Sequence, residues 1–155
     1  MLGSSSVGFA TKSAIDGLCR HFGSRRGADA RNADSAAQTW LGLQPSGSLL
    51  SSDWVVTEFS AALSVKVRIG EIDNPFRLAA LAKFHRLITA ALEIVPVRRE
   101  HFRTAARFAD PYSAGLRAGD ALHLALAADR GATMITLDRR LAAAASALGF
   151  GANLI

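Results

Sequence analysis

The sequence predicts an α/β fold, a parallel sheet with helices on both faces, and three observations carry that prediction. Short apolar runs of strand length alternate with longer segments of helical period, the pattern of β-α-β units. One such unit is sharply legible: Ala118 to Arg130 is rich in Ala and Leu, without Pro or a β-branched residue, and is followed by Gly131 and the apolar run ATMITL. Finally, 155 residues at 50% hydrophobic composition suffice for one domain with a sizeable core.

Met1 to Ala33 carries Gly and Ser clusters, mixed charges and no sustained period, so it reads as an irregular lead-in to a single domain spanning residues 1–155. Asp34 is an N-cap for a short helix through Trp40 and Leu41, ended by Gly42 or Pro45. Ser48 to Ser51 is a short buried strand, and Ser52 or Asp53 caps the helix Trp54 to Val67, whose Val55, Phe59, Ala62 and Leu63 form a core-facing stripe. Arg68 to Pro75 is a turn with Gly70 and Asn74-Pro75 as breakers, and Phe76 to Leu92 is helical, with Leu78, Leu81, Leu87 and Ile88 apolar. Glu93 to Val97 is a strand that Pro96 ends or confines to an edge, and Arg99 to Asp110 is a helix stopped by Pro111. After the helix from Ala118, Gly131 supplies a left-handed stop and Ala132 to Leu137 a buried strand. Arg139 to Leu148 is a helix ending at Gly149, and Ala152 to Ile155 is an edge strand.

This order places acids together. A helix of roughly 12 residues at ~1.5 Å each climbs about as far as a strand of roughly 6 residues at ~3.3 Å returns. Asp120, in the first turn of its helix, and Asp138, closing the next strand, therefore share the carboxyl edge of the sheet, where open α/β sheets bind ligands. Glu58 follows a strand directly and stands at the same edge. Each acid also has a plain structural role: Asp120 complements a helix dipole, Asp138 caps the helix from Arg139, and Glu58 is a solvated helix residue. Their convergence shifts the balance, because unneutralised carboxylates repel and raise one another's pKa, and a hard divalent cation relieves the repulsion.

Two or three carboxylates completed by water suit Mg²⁺ or Mn²⁺ rather than zinc, and no Cys and His grouping offers a zinc alternative. Lys plus Arg number 18 against 13 acids, a net charge of +5, which favours a polyanionic partner. On a basic protein such a metal site points to phosphodiester hydrolysis. His123, three residues after Asp120, reads as a core or supporting histidine rather than a ligand. The sequence has no GxSxG, Walker A loop or GxGxxG. The single cysteine, Cys19, excludes an intramolecular disulfide, and no apolar run approaches the ~20 residues of a membrane span, so a cytoplasmic location is expected.

Three stretches together resemble the successive signatures of PIN-domain ribonucleases of the VapC toxin type: Ser52 to Phe59 (SDWVVTEF), Leu116 to His123 (LRAGDALH) and Thr136-Leu137-Asp138. The resemblance runs from about Asp34 to Gly149. It implies a three-layer α/β/α PIN-like fold with a central parallel sheet, and a Mg²⁺- or Mn²⁺-dependent endoribonuclease acting as the toxin of a toxin–antitoxin pair. Glu58, Asp120 and Asp138 would be the metal-binding catalytic acids, RNA the substrate, a cognate antitoxin the partner and a homodimer the common assembly.

The departure is at the start, where the family opens on a hydrophobic strand running into Asp and then Ser or Thr. Met1 to Val7 is similar with Gly3 in place of the acid, whereas Ile15-Asp16-Gly17-Leu18 keeps an acid at a better distance without an apolar strand. Asp16, Gly3 or no residue stands for the first family acid. Two rivals follow: a PIN-like protein that binds antitoxin without cleaving, and a phosphoacceptor receiver domain, which needs an early acidic pair and a late lysine that this chain lacks.

Overall fold

The computed structural model describes residues 7–11, 14, 15, 39, 43–45 and 47–155. Its strands are β1 (Gly8–Ala10), β2 (Leu49–Ser52), β3 (Glu93–Val95), β4 (Thr133–Thr136) and β5 (Ala152–Leu154), all parallel, in the order β3-β2-β1-β4-β5. The helices are α1 (Asp53–Arg68), α2 (Asn74–Ala91), α3 (Arg99–Ala109), α4 (Ala118–Asp129) and α5 (Arg139–Ala147), with a 3₁₀ turn at Tyr112–Ala114.

In-register neighbours in a parallel sheet point to one face, and the core divides accordingly. Phe9, Leu50 and Val95 pack beneath α3 and α4 with Ala121, Leu122, Ala125 and Leu126, and Met134 joins Leu124 of α4 and Leu141 and Ala145 of α5. On the opposite face Ala10 meets Val55, Phe59 and Leu63 of α1 and Phe84 and Ile88 of α2, where the Phe59 and Phe84 rings stack at 4.1 Å. Helices cover both faces in three layers, as the alternating sequence pattern predicts.

The chain builds outward from β1 through β2 to β3, then crosses to build β4 and β5 on the other side. The strand order reverses at β1, so the crevice at its carboxyl end is the topological switch point where such sheets take ligands.

Most elements fall within a residue or two of expectation, and four details differ. β1 lies inside the stretch that shows no period, and its Phe9 is fully buried at the sheet's centre. Asn74-Pro75 starts α2 rather than breaking the chain: Asp73 accepts a hydrogen bond from Phe76 N at 2.8 Å, and proline fits a first turn, where its missing N–H costs nothing. Leu78 is exposed, while Ala80 and Phe84 fill the core. Ser52 is the N-cap of α1 by position but makes no side-chain capping bond. The helix expected at Asp34 to Gly42 lies outside the described residues except for Thr39, which is helical.

Candidate functional site

Asp120 is the third residue of α4, whose N-cap is Arg117. Burial raises the Asp120 pKa, opposed by a hydrogen bond with the Arg117 backbone and reinforced by the Asp138 charge. His123 and Arg117 pull the other way more weakly. An acid in the first turn of a helix also faces the positive end of the helix dipole.

Asp138 is the N-cap of α5, its Oδ1 accepting from Arg140 N at 2.8 Å and Leu141 N at 3.2 Å. Its own N–H donates to Thr136 Oγ1 at 3.0 Å, so both ends of the residue are fixed. The capping role expected of it is real, and the same residue also lines a cleft. Asp120 and Asp138 line one cleft with Gly115, Leu116, Arg117, Arg140 and Leu141. The cleft measures about 20 Å³, room for a single water-sized guest.

Glu58 reaches the same edge from α1, but its carboxylate is held by another partner. Oε2 lies 2.7 Å from His123 Nε2, on a ring only 2% exposed that packs against Phe9. The pair joins α1 to α4 above the sheet. It is possible because residue 119 is glycine: a Cβ there would stand 2.6 Å from Glu58 Oε1. The structure thus brings Asp120 and Asp138 into one cleft and seats Glu58 beside it. Among the described residues, no group of three or more His, Cys, Asp or Glu side chains is arranged around one point to hold a metal.

Three buried polar atoms near this edge have no hydrogen-bond partner among the described residues: Ser52 Oγ, Trp54 Nε1 and His123 Nδ1. Buried orphans of this kind are uncommon and cluster where strain or ligands are handled.

The carboxyl end of β1 carries no acid. Ala10 and Thr11 stand there, both 1% exposed; Ser51 Oγ donates to Ala10 O at 2.9 Å, and Thr11 N to Ile135 O at 3.1 Å. Gly3 and Asp16 lie outside the described residues. Sequence reasoning did not single out Gly119, Arg117 or Arg140 for the site. Arg140 could have been found from its place two residues beyond Asp138, on the first turn of the helix that Asp138 caps.

A parallel sheet with two carboxylates lining one cleft at its carboxyl edge defines an α/β protein with an acidic cleft. The family model of the PIN domain matches residues 25–147, and the chain belongs to the PIN-domain family. That match begins after β1. Two solved structures share the fold. PAE2754 from Pyrobaculum aerophilum has a TM-score of 0.62 at 19% identity, over 90% of this chain and 80% of that one. VapC20 of Mycobacterium tuberculosis, a toxin described as cleaving the sarcin-ricin loop, has a TM-score of 0.62 at 18% identity, over 92% of this chain and 95% of that one. No curated protein matches the sequence.

Proposed function

We propose that this chain is a metal-dependent endoribonuclease, the toxin of a toxin–antitoxin pair, in which Asp120, Asp138 and Glu58 are the catalytic acids and bind Mg²⁺ or Mn²⁺. The observation that carries the reading is the convergence of Asp120 and Asp138 on one cleft at the carboxyl edge of the sheet, where burial and the Asp138 charge both disfavour ionised Asp120. The donor set fits the cation: a site with two carboxylates and room for water is what Mg²⁺ commonly uses. When bound, the cation would supply an activated water and neutralise charge on the attacked phosphate.

The chain's own residues do the remaining work. Asp138 is immobilised by its cap bonds and by Thr136, so its free oxygen is presented from a fixed point. Asp120 stands in the first turn of α4 on the wall of the same cleft. His123 anchors one Glu58 oxygen and leaves Oε1 turned toward Gly119, the neighbour of Asp120.

VapC20's described target makes the sarcin-ricin loop the natural first substrate. A cognate antitoxin covering the cleft, a homodimer and a cytoplasmic setting belong to the same reading; no helix among the described residues is long and apolar enough to cross a membrane.

The test is calorimetric titration with Mn²⁺ beside a cleavage assay on structured RNA, for the parent and Asp120→Asn. Binding and cleavage in the parent, both lost in the variant, support the enzyme. A variant that cleaves at the parent rate sinks the assignment.

One observation favours a second reading. The family's opening strand runs into an acid and then Ser or Thr; here β1 runs into Ala10 and then Thr11, which puts alanine in the acid's place. A PIN-like protein lacking that ligand would retain antitoxin, and RNA, without cleaving. Antitoxin binding with no turnover at high Mn²⁺ would establish it.

A further inference from the structure

Beside the acid cleft stands an aromatic residue with no structural task. Tyr112 is 94% exposed, although tyrosine ordinarily covers much of its ring. Its backbone, in contrast, is firmly fixed. Tyr112 opens the 3₁₀ turn after Pro111; Ala114 N donates to Pro111 O at 2.9 Å, and Gly115 N to Tyr112 O at 3.2 Å. Gly115 adopts a left-handed φ of 61° and lines the cleft, so one hydrogen bond separates Tyr112's backbone from the cleft wall.

The same wall carries two cations. Arg117 and Arg140 both line the cleft and are exposed, and among the described residues neither guanidinium is paired with a carboxylate. The Arg140 guanidinium crosses above Gly115, 3.5 Å from where a Cβ would stand. Arginine presents a planar fork suited to phosphate oxygens. An exposed aromatic ring on a backbone tied by one hydrogen bond to a cleft wall that carries two exposed guanidiniums is the equipment for an unpaired nucleotide, since only an unstacked base can lie on a side-chain ring.

We propose that Tyr112, Arg117 and Arg140 form a seat for one unpaired ribonucleotide at the rim of the acid cleft, the ring stacking on the base and the two guanidiniums holding the adjoining phosphate. The seat rests on the nuclease reading above and adds to it which side chains of this chain hold the substrate beside the acids. A ring read by stacking accepts any base.

The test is fluorescence anisotropy in EDTA with a labelled single-stranded oligoribonucleotide of mixed sequence and with its duplex, for the parent, Tyr112→Ala, Tyr112→Phe and Arg140→Gln. Tyr112→Ala should weaken single-strand binding roughly 5- to 150-fold, the range for loss of one stacking platform, while Tyr112→Phe keeps the parent affinity. Duplex binding should not respond to Tyr112→Ala. Arg140→Gln should lower the slope of log affinity against log salt by about 0.7, one phosphate contact on a single strand. Parent-like single-strand affinity in Tyr112→Ala, or an equal loss on the duplex, overturns the seat and leaves the nuclease reading standing. A parent that binds neither RNA at low salt overturns the nuclease reading, and the seat with it.

Discussion

Gly119→Ala separates two effects of opposite sign that the structure predicts at one position. Alanine is the better helix former, and in the first turn of α4 the gain is about 0.5 kcal/mol, the low end of the helix-interior range. Against it, the new Cβ would stand 2.6 Å from Glu58 Oε1 and 3.3 Å from Trp54 Nε1. The Glu58 carboxylate cannot swing away freely, because its other oxygen is bonded at 2.7 Å to His123 Nε2. The His123 ring is buried and its Nδ1 already lacks a partner, so moving Glu58 strands both nitrogens. A hydrogen bond with a charged partner contributes about 1.5–3 kcal/mol, which outweighs the helix gain. The net expectation is destabilisation by about 1–2.5 kcal/mol, or roughly 2–10 °C in Tm at about 2–4 °C per kcal/mol for a chain of this size. In a Glu58→Ala background only the 3.3 Å approach to Trp54 Nε1 remains, and once that ring gives by a few tenths of an ångström the same substitution should stabilise by up to about 0.5 kcal/mol. Urea denaturation of the four proteins in EDTA closes the cycle, with an expected coupling of about 1.5–3 kcal/mol. Equal effects of Gly119→Ala in both backgrounds would show that Glu58 moves at no cost, and the account of the α1–α4 junction would be wrong.

Three further outcomes are expected. The raised Asp120 pKa means that the folded metal-free chain keeps a proton the unfolded chain releases; stability is greatest below the unfolded value and falls as pH rises through the folded one. Asp120→Asn should remove that decline, seen as a flatter profile of Tm against pH in EDTA, while keeping stability within about 1 kcal/mol of the parent at low pH. Asp138→Ala should lose about 1 kcal/mol by urea denaturation through the cap of α5, whereas Asp138→Asn, which keeps an acceptor oxygen, should retain most of it and still bind Mn²⁺ more weakly in calorimetry. Ala10→Asp puts a carboxylate where the side chain is 1% exposed, so its Tm in EDTA should drop; if β1 completes the metal site, Mn²⁺ should then raise that Tm more than it raises the parent's.

The segment from α4 to α5 was legible because local rules decide it. An Ala- and Leu-rich run makes the helix, Gly131 stops it at a φ of 59°, and Asp138 caps the next one. Asp120 and Asp138 followed from that register alone. β1 was not legible, because three residues reading GFA show no alternation. Its strand character comes from its neighbours: Phe9 pairs with Leu50 on one side and Met134 on the other. Leu78 and Phe84 share a helix, and only the position of α1 decides which of them is covered. The tie between Glu58 and His123 spans 65 residues, and no local pattern records it.

That tie also explains why the acid edge depends on both layers of helices. Glu58 comes from α1 on one face of the sheet, Asp120 and His123 from α4 on the other. Phe59, next to Glu58, is stacked on Phe84 and thereby sets the rotation of α1 about its axis, which aims Glu58 over the edge. Between the two helices, the top of β1 is occupied by Ala10 and Thr11, small residues that let α1 and α4 approach closely enough for a 2.7 Å contact. A larger side chain there would have to displace one layer or join the site. The spacing of the acids is therefore set by core packing on two faces at once, so that a substitution deep in either layer changes site geometry before it changes any site residue.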